Sequence, residues 1–432
     1  MDAPGLDLDP DLCALADAAE AEVAPVWRLI DAVEAHNQAR VVDAFRRARV
    51  GQECLGHSAG YGYGDVGRDR LEQAFALALG AEAAMVRPQI ATGTQALVLA
   101  LAACLEAGGE LVSATGPVYE TLRPALGLEP GAARPLLRQT AFRQVDLTPR
   151  GAIDLERLEA AVGPETRAVW FQRSCGYEWR PSLSVSEIGR AVAAVKAKNP
   201  ETVCLVDNCY GEFVEAQEPT AVGADLIAGS LLKNPGGGLA SSGGYVAGRA
   251  DLVERAAERL IAPGQGRGVG PLLGEGRWLF HGLFLAPHVV AEALRGAVLA
   301  ARLLEGLGLE VLPRWQEPRT DIVQAVRLGS PEAVLAFCRG LQAAGPVEAE
   351  ARPEPARLPG YRTPVIMAGG TFVPGSSIEL SADAPMRPPW AVYLQGGLTR
   401  QHVRLGVLLG VQELRRSGLL RSQAAGPPPS PA

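Results

Sequence analysis

From about residue 83 the chain alternates short apolar runs with amphipathic stretches, and this alternation constrains the fold more than any other feature. AAMVRPQI, ELVSA, RAVWFQRS, TVCLVDN, ADLIAGSLL and GGYVAG read as strands. Among them lie TGTQALVLALAACLEAGG, ERLEAAVG and SVSEIGRAVAAVKAKN, where apolar residues recur every three or four positions as on one face of a helix. Short apolar strands separated by helices call for an α/β fold: a mainly parallel sheet with helices on both faces. Such sheets bind ligands outside the carboxyl ends of their strands, so residues that end a strand are the first candidates for chemistry.

The flanking sequence reads differently. Residues 9–48 carry a helical pattern interrupted at Pro25, which predicts one or two helices ahead of the main domain. Residues 51–65, GQECLGHSAGYGYGD, read as an irregular glycine-rich loop, and GRDRLEQAFALALGA as a helix ending near Gly80. After about residue 290 a long amphipathic helix, AEALRGAVLAARLLEGLGL, precedes PRTDIVQAVRL, EAVLAFCRGLQAAG and PVIMAGGTF, an α+β region with its own smaller sheet. WAVYLQGG and TRQHVRLGVLLGVQELRR close it as strand and helix. The expected organisation is an N-terminal helical segment and loop (1–60), a large domain (61–290), a small C-terminal α+β domain (291–420) and a disordered tail (421–432).

Composition excludes several classes of partner. A formal net charge of −7 argues against nucleic acid or an anionic membrane. No window offers about 18 uninterrupted apolar residues, and the acidic N-terminus lacks the pattern of a signal peptide, so a cytoplasmic location without a membrane span is expected. The seven cysteines are scattered without CxxC spacing and the five histidines lie far apart. Reduced thiols, no disulfide frame and no metal centre are expected. The informative count is that of lysine: three, against 38 arginines. Where charge alone serves, this chain uses arginine, and an amine can do chemistry that a guanidinium cannot.

Lys196 and Lys198 end a predicted helix, where a cation near the C-terminal dipole explains them. Lys233 differs, because it follows the apolar run ADLIAGSLL and precedes the turn NPGGG, whose glycines let backbone approach a ligand. There an amine can attack a carbonyl and form a Schiff base; a snorkelling surface lysine fits the position equally well. Asp207 ends the run VCLVD, where a carboxylate can keep a pyridinium nitrogen protonated or simply bond the following loop. Gly93, Thr94 and Gln95 stand at a strand-to-helix junction suited to a phosphate or to simple capping, and Ser230 offers a further hydroxyl. Tyr119, in the loop after ELVSA, can lay its ring on a flat cofactor or join the core.

The order is phosphate-binding turn, aromatic residue, strand-end aspartate, then S-x-x-K with its lysine 26 residues after that aspartate. It resembles the fold-type-I pyridoxal-phosphate enzymes. The segments YGYGDVGRDRLE, ATGTQAL, QRSCGYEWRPSL, VDNCYGEFVE, GSLLKNPGGGLASSGGY and GTFVPGSSIELSAD closely resemble the methionine gamma-lyase-related group of cysteine and methionine metabolism, whose members are often called aluminium resistance proteins. The resemblance runs from about residue 25 to residue 415.

It implies a pyridoxal 5'-phosphate-dependent carbon–sulfur lyase acting on a sulfur-containing or γ-substituted amino acid. Lys233 would form the aldimine, Asp207 would partner the pyridine nitrogen, Tyr119 would stack on the ring, and Gly93, Thr94, Gln95 and Ser230 would bind phosphate. Gln172 would contact the phenolic oxygen. It also implies a homodimer or homotetramer with shared active sites, to which Tyr61 or Tyr63, with Arg68 nearby, would contribute from the neighbouring subunit. The substrate carboxylate calls for an arginine. Arg387, just before WAVYLQGG, is the first candidate, and Arg173 and Arg404 are the others. An aminotransferase or γ-replacement enzyme would use the same residues, and a non-catalytic stress-response protein on the same fold is the alternative from another class.

Overall fold

The computed structural model describes residues 7–105, 109–129, 136 and 140–420. In chain order these form α1 (Pro10–Arg47), α2 (Val66–Ala78), β1 (Ala83–Arg87), α3 (Gly93–Cys104), β2 (Glu110–Ser113), β3 (Ala141–Gln144), α4 (Leu155–Ala161) and β4 (Thr166–Gln172). They continue with α5 (Val185–Lys198), β5 (Val203–Asp207), β6 (Leu226–Ser230), β7 (Gly244–Gly248), α6 (Ala250–Leu260) and α7 (Gly276–Gly306). The C-terminal part holds β8 (Glu310–Leu312), β9 (Val323–Arg327), α8 (Pro331–Gln342), β10 (Val365–Ala368), β11 (Ser381–Pro385), β12 (Ala391–Gln395) and α9 (Arg400–Arg416).

Strands β1 to β7 make one sheet in the order β1-β7-β6-β5-β4-β2-β3. The run from β6 to β3 is parallel, and β7 is antiparallel to both of its neighbours. Every residue of β5, β6 and β7 is buried, as a sheet covered on both faces requires. Successive side chains of β4 enter opposite layers. Val169 and Phe171 pack with Ile188, Val192 and Val195 of α5, whereas Ala168 and Trp170 join the layer of Leu97, Ala100 and Leu101 from α3.

Helix α5 begins with a reciprocal cap. Ser184 Oγ accepts the Glu187 N–H at 3.1 Å, and the Glu187 carboxylate accepts the Ser184 N–H at 2.9 Å. Replacing Ser184 with alanine should therefore lower stability by about 1 kcal/mol. The loss should show as a lower denaturant midpoint with an unchanged m-value.

The second sheet, β10-β11-β12-β9-β8, is antiparallel throughout. Phe337 and Leu341 of α8 and Val407 and Val411 of α9 pack on Val326 and Val392 of its strands. The fold is thus α/β, with a large mainly parallel sheet and a smaller C-terminal α+β part, as the alternation predicts.

Two long helices join the parts. Leu12 and Ala16 at the start of α1 enter the core of the smaller sheet, while Val41 and Ala44 near its end enter that of the larger. In α7, Leu279, Leu283 and Val290 belong to the larger core and Ala300, Leu303 and Leu304 to the smaller, so the helix runs through residue 290. By composition α7 is apolar enough to cross a membrane, but 83% of its apolar window is buried, as in a core helix. Pro25 does not interrupt α1. Pro25 and Ala21 are both exposed, so the carbonyl left without a helical donor is open to water. The residues expected to form a tail, 421–432, lie outside the described residues.

Candidate active site

Strands β4, β5 and β6 end side by side, with Gln172 paired in register to Asp207 and Asp207 to Ala228. Beyond this edge lies a cleft of about 370 Å³, a size suited to a cofactor or small substrate. The large part contributes Thr92, Gly93, Thr94, Tyr119, Asp207, Ser230 and Lys233 to its walls. Across from them stand Tyr361, Ser376, Ser377, Asp383 and Gln395 from the C-terminal part. A backbone bond from Ser377 N–H to Leu232 O, 3.0 Å, ties the two walls together beside the lysine.

Lys233 is held by the loop that follows β6. Asn234 Nδ2 donates to Tyr210 O at 3.0 Å and to Glu212 O at 2.9 Å, fastening this loop to the one after β5. The glycines beyond it serve a purpose other than the expected approach to a ligand: a Cβ on Gly237 would stand 2.3 Å from Gly282 O of α7. They let the loop lie against the helix backbone. Lys233 Nζ is 4.0 Å from the centroid of the Tyr210 ring. Tyr210 presents that ring from a left-handed backbone, φ 71°, which is uncommon for a bulky residue. Burial favours the neutral amine, but Cys209, Tyr210 and Asp207 around it outweigh burial and hold Nζ above the ordinary lysine range. Asp207 accepts the Cys209 N–H at 3.1 Å. Burial raises its carboxyl above the usual range, against the pull of the Lys233 charge.

At the other end of the cleft α3 begins. Thr92 Oγ1 accepts the Gln95 N–H at 3.0 Å. Thr94 Oγ1 lies 2.8 Å from Thr121 Oγ1, and Ser230 Oγ accepts the Leu232 N–H at 3.1 Å. A Cβ on Gly93 would sit 3.1 Å from Ser230 Cβ, so only glycine leaves the space between them open. Hydroxyls gathered at a helix N-terminus suit a phosphate. Gln95 is not among the lining residues; its Oε1 accepts the Ala91 N–H at 2.8 Å and closes the turn instead.

Tyr119 and Tyr361 line one side of the cleft, and Tyr177 packs on both from outside the lining. The Tyr119 and Tyr361 hydroxyls are 2.9 Å apart, and Tyr177 meets Tyr119 edge-on at 5.7 Å and stacks on Tyr361 at 5.9 Å. Burial lifts the Tyr119 and Tyr177 hydroxyls far above the usual range and keeps both neutral. Gln172 stands behind this group, outside the lining, with its Oε1 buried and lacking a donor.

None of the three candidate arginines lines the cleft. Arg387 pairs with Glu120 at 2.9 Å and Glu178 at 3.1 Å. Arg173 is fully buried, bonded to Asn208 Oδ1 at 2.8 Å and Glu215 at 2.6 Å. Arg404, on α9, pairs with Asp17 at 2.6 Å and Glu20 at 2.7 Å of α1. Each guanidinium already has carboxylate partners, which sequence separation conceals. Tyr61 and Tyr63 are likewise outside this chain's cleft, at 75% and 72% exposure. Arg68 is buried beneath their loop and donates to Gly62 O at 2.7 Å and to Gly268 O and Gly270 O at 3.2 Å. Lining residues that sequence reading missed include Tyr210 and Asp383, which fall inside segments singled out above for other reasons, and Tyr361 and Gln395, which stand in no such segment of the resemblance.

The fold is that of the type-I pyridoxal-phosphate enzymes. At 20% identity and a TM-score of 0.60, the structure aligns with the pyridoxal-5'-phosphate-dependent protein YhfS of Escherichia coli over 90% of this chain and 97% of that one. The chain belongs to the methionine gamma-lyase family, whose profile matches residues 12–415. A carbon–sulfur lyase involved in aluminium resistance from Clostridium novyi NT shares 40% identity and a TM-score of 0.90, over 94% of this chain and 96% of that one. The uncharacterised Bacillus subtilis protein YnbB is 45% identical over 93% of this chain and 96% of its own.

Proposed function

We propose that the protein is a pyridoxal-phosphate-dependent lyase that cleaves the carbon–sulfur bond of a sulfur-containing amino acid or releases a comparable γ-substituent. The observation that carries this reading is the shared cleft of Lys233, Asp207 and the hydroxyl-rich start of α3. An amine, a strand-end carboxylate and a phosphate cup match the aldehyde, the ring nitrogen and the phosphate of the cofactor, and the absent Cβ of Gly93 keeps the cup open. Bound there, the cofactor would supply an electron sink for carbanion chemistry.

The chain's own residues supply the rest. Lys233 would hold the cofactor, and its Nζ, once free, would take the α-proton. Asp207 would partner the ring nitrogen and favour its protonated form. Thr92, Thr94 and Ser230 would hold the phosphate, and Tyr119 offers a neutral hydroxyl in the cleft wall. With no arginine among the described lining residues, Ser376 and Ser377, which line the cleft, are the proposed contacts for the substrate carboxylate.

Incubating the holoenzyme with methionine, S-substituted cysteines and γ-substituted analogues should release 2-oxo acid, ammonia and thiol together. Stoichiometric transfer of the amino group to an added 2-oxo acid would instead make it an aminotransferase. Release of none of these would leave it without the proposed activity.

The exposed Tyr61 and Tyr63 support a shared site between copies. Their loop is pinned from below, with Gly270 N–H also donating to Tyr61 O at 2.9 Å. A rigid loop with two outward aromatics fits insertion into a neighbouring copy. Light scattering should give a dimer or tetramer; a fully active monomer would overturn this part of the reading.

A further inference from the structure

We infer that Asp383 is a second acid–base group of the cleft, whose Oδ1 carries the proton that passes to the departing sulfur. The inference rests on the lyase reading above and adds the residue that completes the elimination.

Asp383 lies on β11 and lines the cleft from the C-terminal part, opposite the wall that bears Lys233. Its two oxygens differ. Oδ2 accepts both the Tyr177 hydroxyl at 2.8 Å and Gln395 Nε2 at 3.1 Å. Oδ1 has no donor among the described residues, in a side chain that borders the cavity. A proton on this carboxyl therefore sits on Oδ1, where a substrate can reach it.

The environment separates this carboxyl from Asp207. Burial raises both carboxyls, but Asp207 faces the Lys233 charge as its strongest opposing influence and accepts a backbone N–H, whereas the hydrogen-bond partners of Asp383 are both neutral. Burial raises Asp383 above the usual carboxyl range, and Lys233 opposes this less than Tyr177 and Gln395 do. The ionisable groups that act on Asp383 or feel its charge are Tyr177 from the loop after β4, Lys233, Tyr210 from the loop after β5, and Cys338 of α8. Two carboxyls in one cleft with diverging environments are suited to different protonation states and different tasks.

In the proposed step the C–S bond breaks with its electron pair going to sulfur, while the pair left on the adjacent carbon by removal of its proton forms the new C=C bond. Sulfur then takes the proton from Oδ1 and leaves as thiol. The new carboxylate charge rests on the Tyr177 hydroxyl and Gln395 Nε2, and Oδ1 regains a proton from water after the product departs.

The test uses matched leaving groups in the holoenzyme: S-methylcysteine against β-chloroalanine, and methionine against its γ-chloro analogue. Chloride needs no proton. Asp383→Asn should lower kcat on the thioether by about 10²-fold or more and on the chloro compound by less than about tenfold. Without cofactor, the infrared difference between wild type and Asp383→Asn near neutral pH should contain the carbonyl band of a protonated carboxylic acid. Tyr177→Phe removes a donor to the carboxylate and raises the Asp383 pKa, so the high-pH limb of thioether turnover should move upward. Equal losses on thioether and chloro compound, or no acid band, would overturn the assignment while the lyase reading stands. If Asp383→Asn does not fold, an unmoved limb in Tyr177→Phe overturns it. Wild-type enzyme inactive on all four compounds would sink the lyase reading and this assignment together.

Discussion

Replacing Lys233 with alanine should reduce turnover by about 10⁴-fold or more, because one side chain holds the cofactor and moves the α-proton. The fold should survive. Loss of the ammonium leaves Asp207 buried without its counter-charge, and the carboxyl, already raised by burial, can take up a proton rather than remain an unpaired anion. Circular dichroism and the thermal midpoint should therefore stay near wild type while activity disappears. Lys233→Arg is the sharper variant. It keeps the positive charge beside Asp207 and Tyr210, yet a guanidinium cannot exchange with a carbonyl as an amine does, so it should be as inactive as alanine. Substantial activity in either variant would remove the lysine from the chemistry.

The second large effect belongs to Asp207. An amide cannot hold the ring nitrogen in its charged form, so Asp207→Asn should lower kcat by about 10²- to 10³-fold, the scale for loss of one preorganised electrostatic partner. A second consequence needs no cofactor. Asp207 is one of the groups that hold Lys233 above its ordinary range, so removing its charge lowers the lysine pKa. At a fixed alkaline pH a larger share of Nζ is then the free amine, and chemical modification of Lys233 in the cofactor-free protein should be faster in Asp207→Asn than in wild type. Equal modification rates would show that Asp207 does not act on the amine.

What could be read from the sequence follows the physics of each element. Strands β4, β5, β6 and β7 are buried on both faces and appear as apolar runs, so the larger sheet and the edge where Asp207 and Ser230 stand were legible. Strand β3 is an exposed edge strand and has no such run. Helix α6 is strongly amphipathic, but Arg249 before its first residue makes no side-chain cap, so its beginning carries no signal. Strand β11 reads SADAP, too short and too polar to announce itself, and it carries Asp383. The arginines fail for another reason. Arg404 meets Asp17 387 residues away, and Arg387 meets Glu120 at a separation of 267, so a charge that looks available in the sequence is neutralised in the fold. The lysines, few enough in composition to stand out, are separated by the segments around them. Lys196 lies in the last turn of α5 and pairs with Asp225 at 2.7 Å, Lys198 is the last residue of that helix, and of the three lysines only Lys233 enters the cleft.

The most direct measurement is reductive trapping. The purified protein, loaded with pyridoxal phosphate, is treated with borohydride, digested and sequenced by mass spectrometry. The pyridoxyl group should be found on the peptide containing Lys233, with Lys196 and Lys198 unmodified and the absorbance of the bound cofactor abolished. A label on Lys196 or Lys198, or no stable label at all, would contradict the role assigned to Lys233.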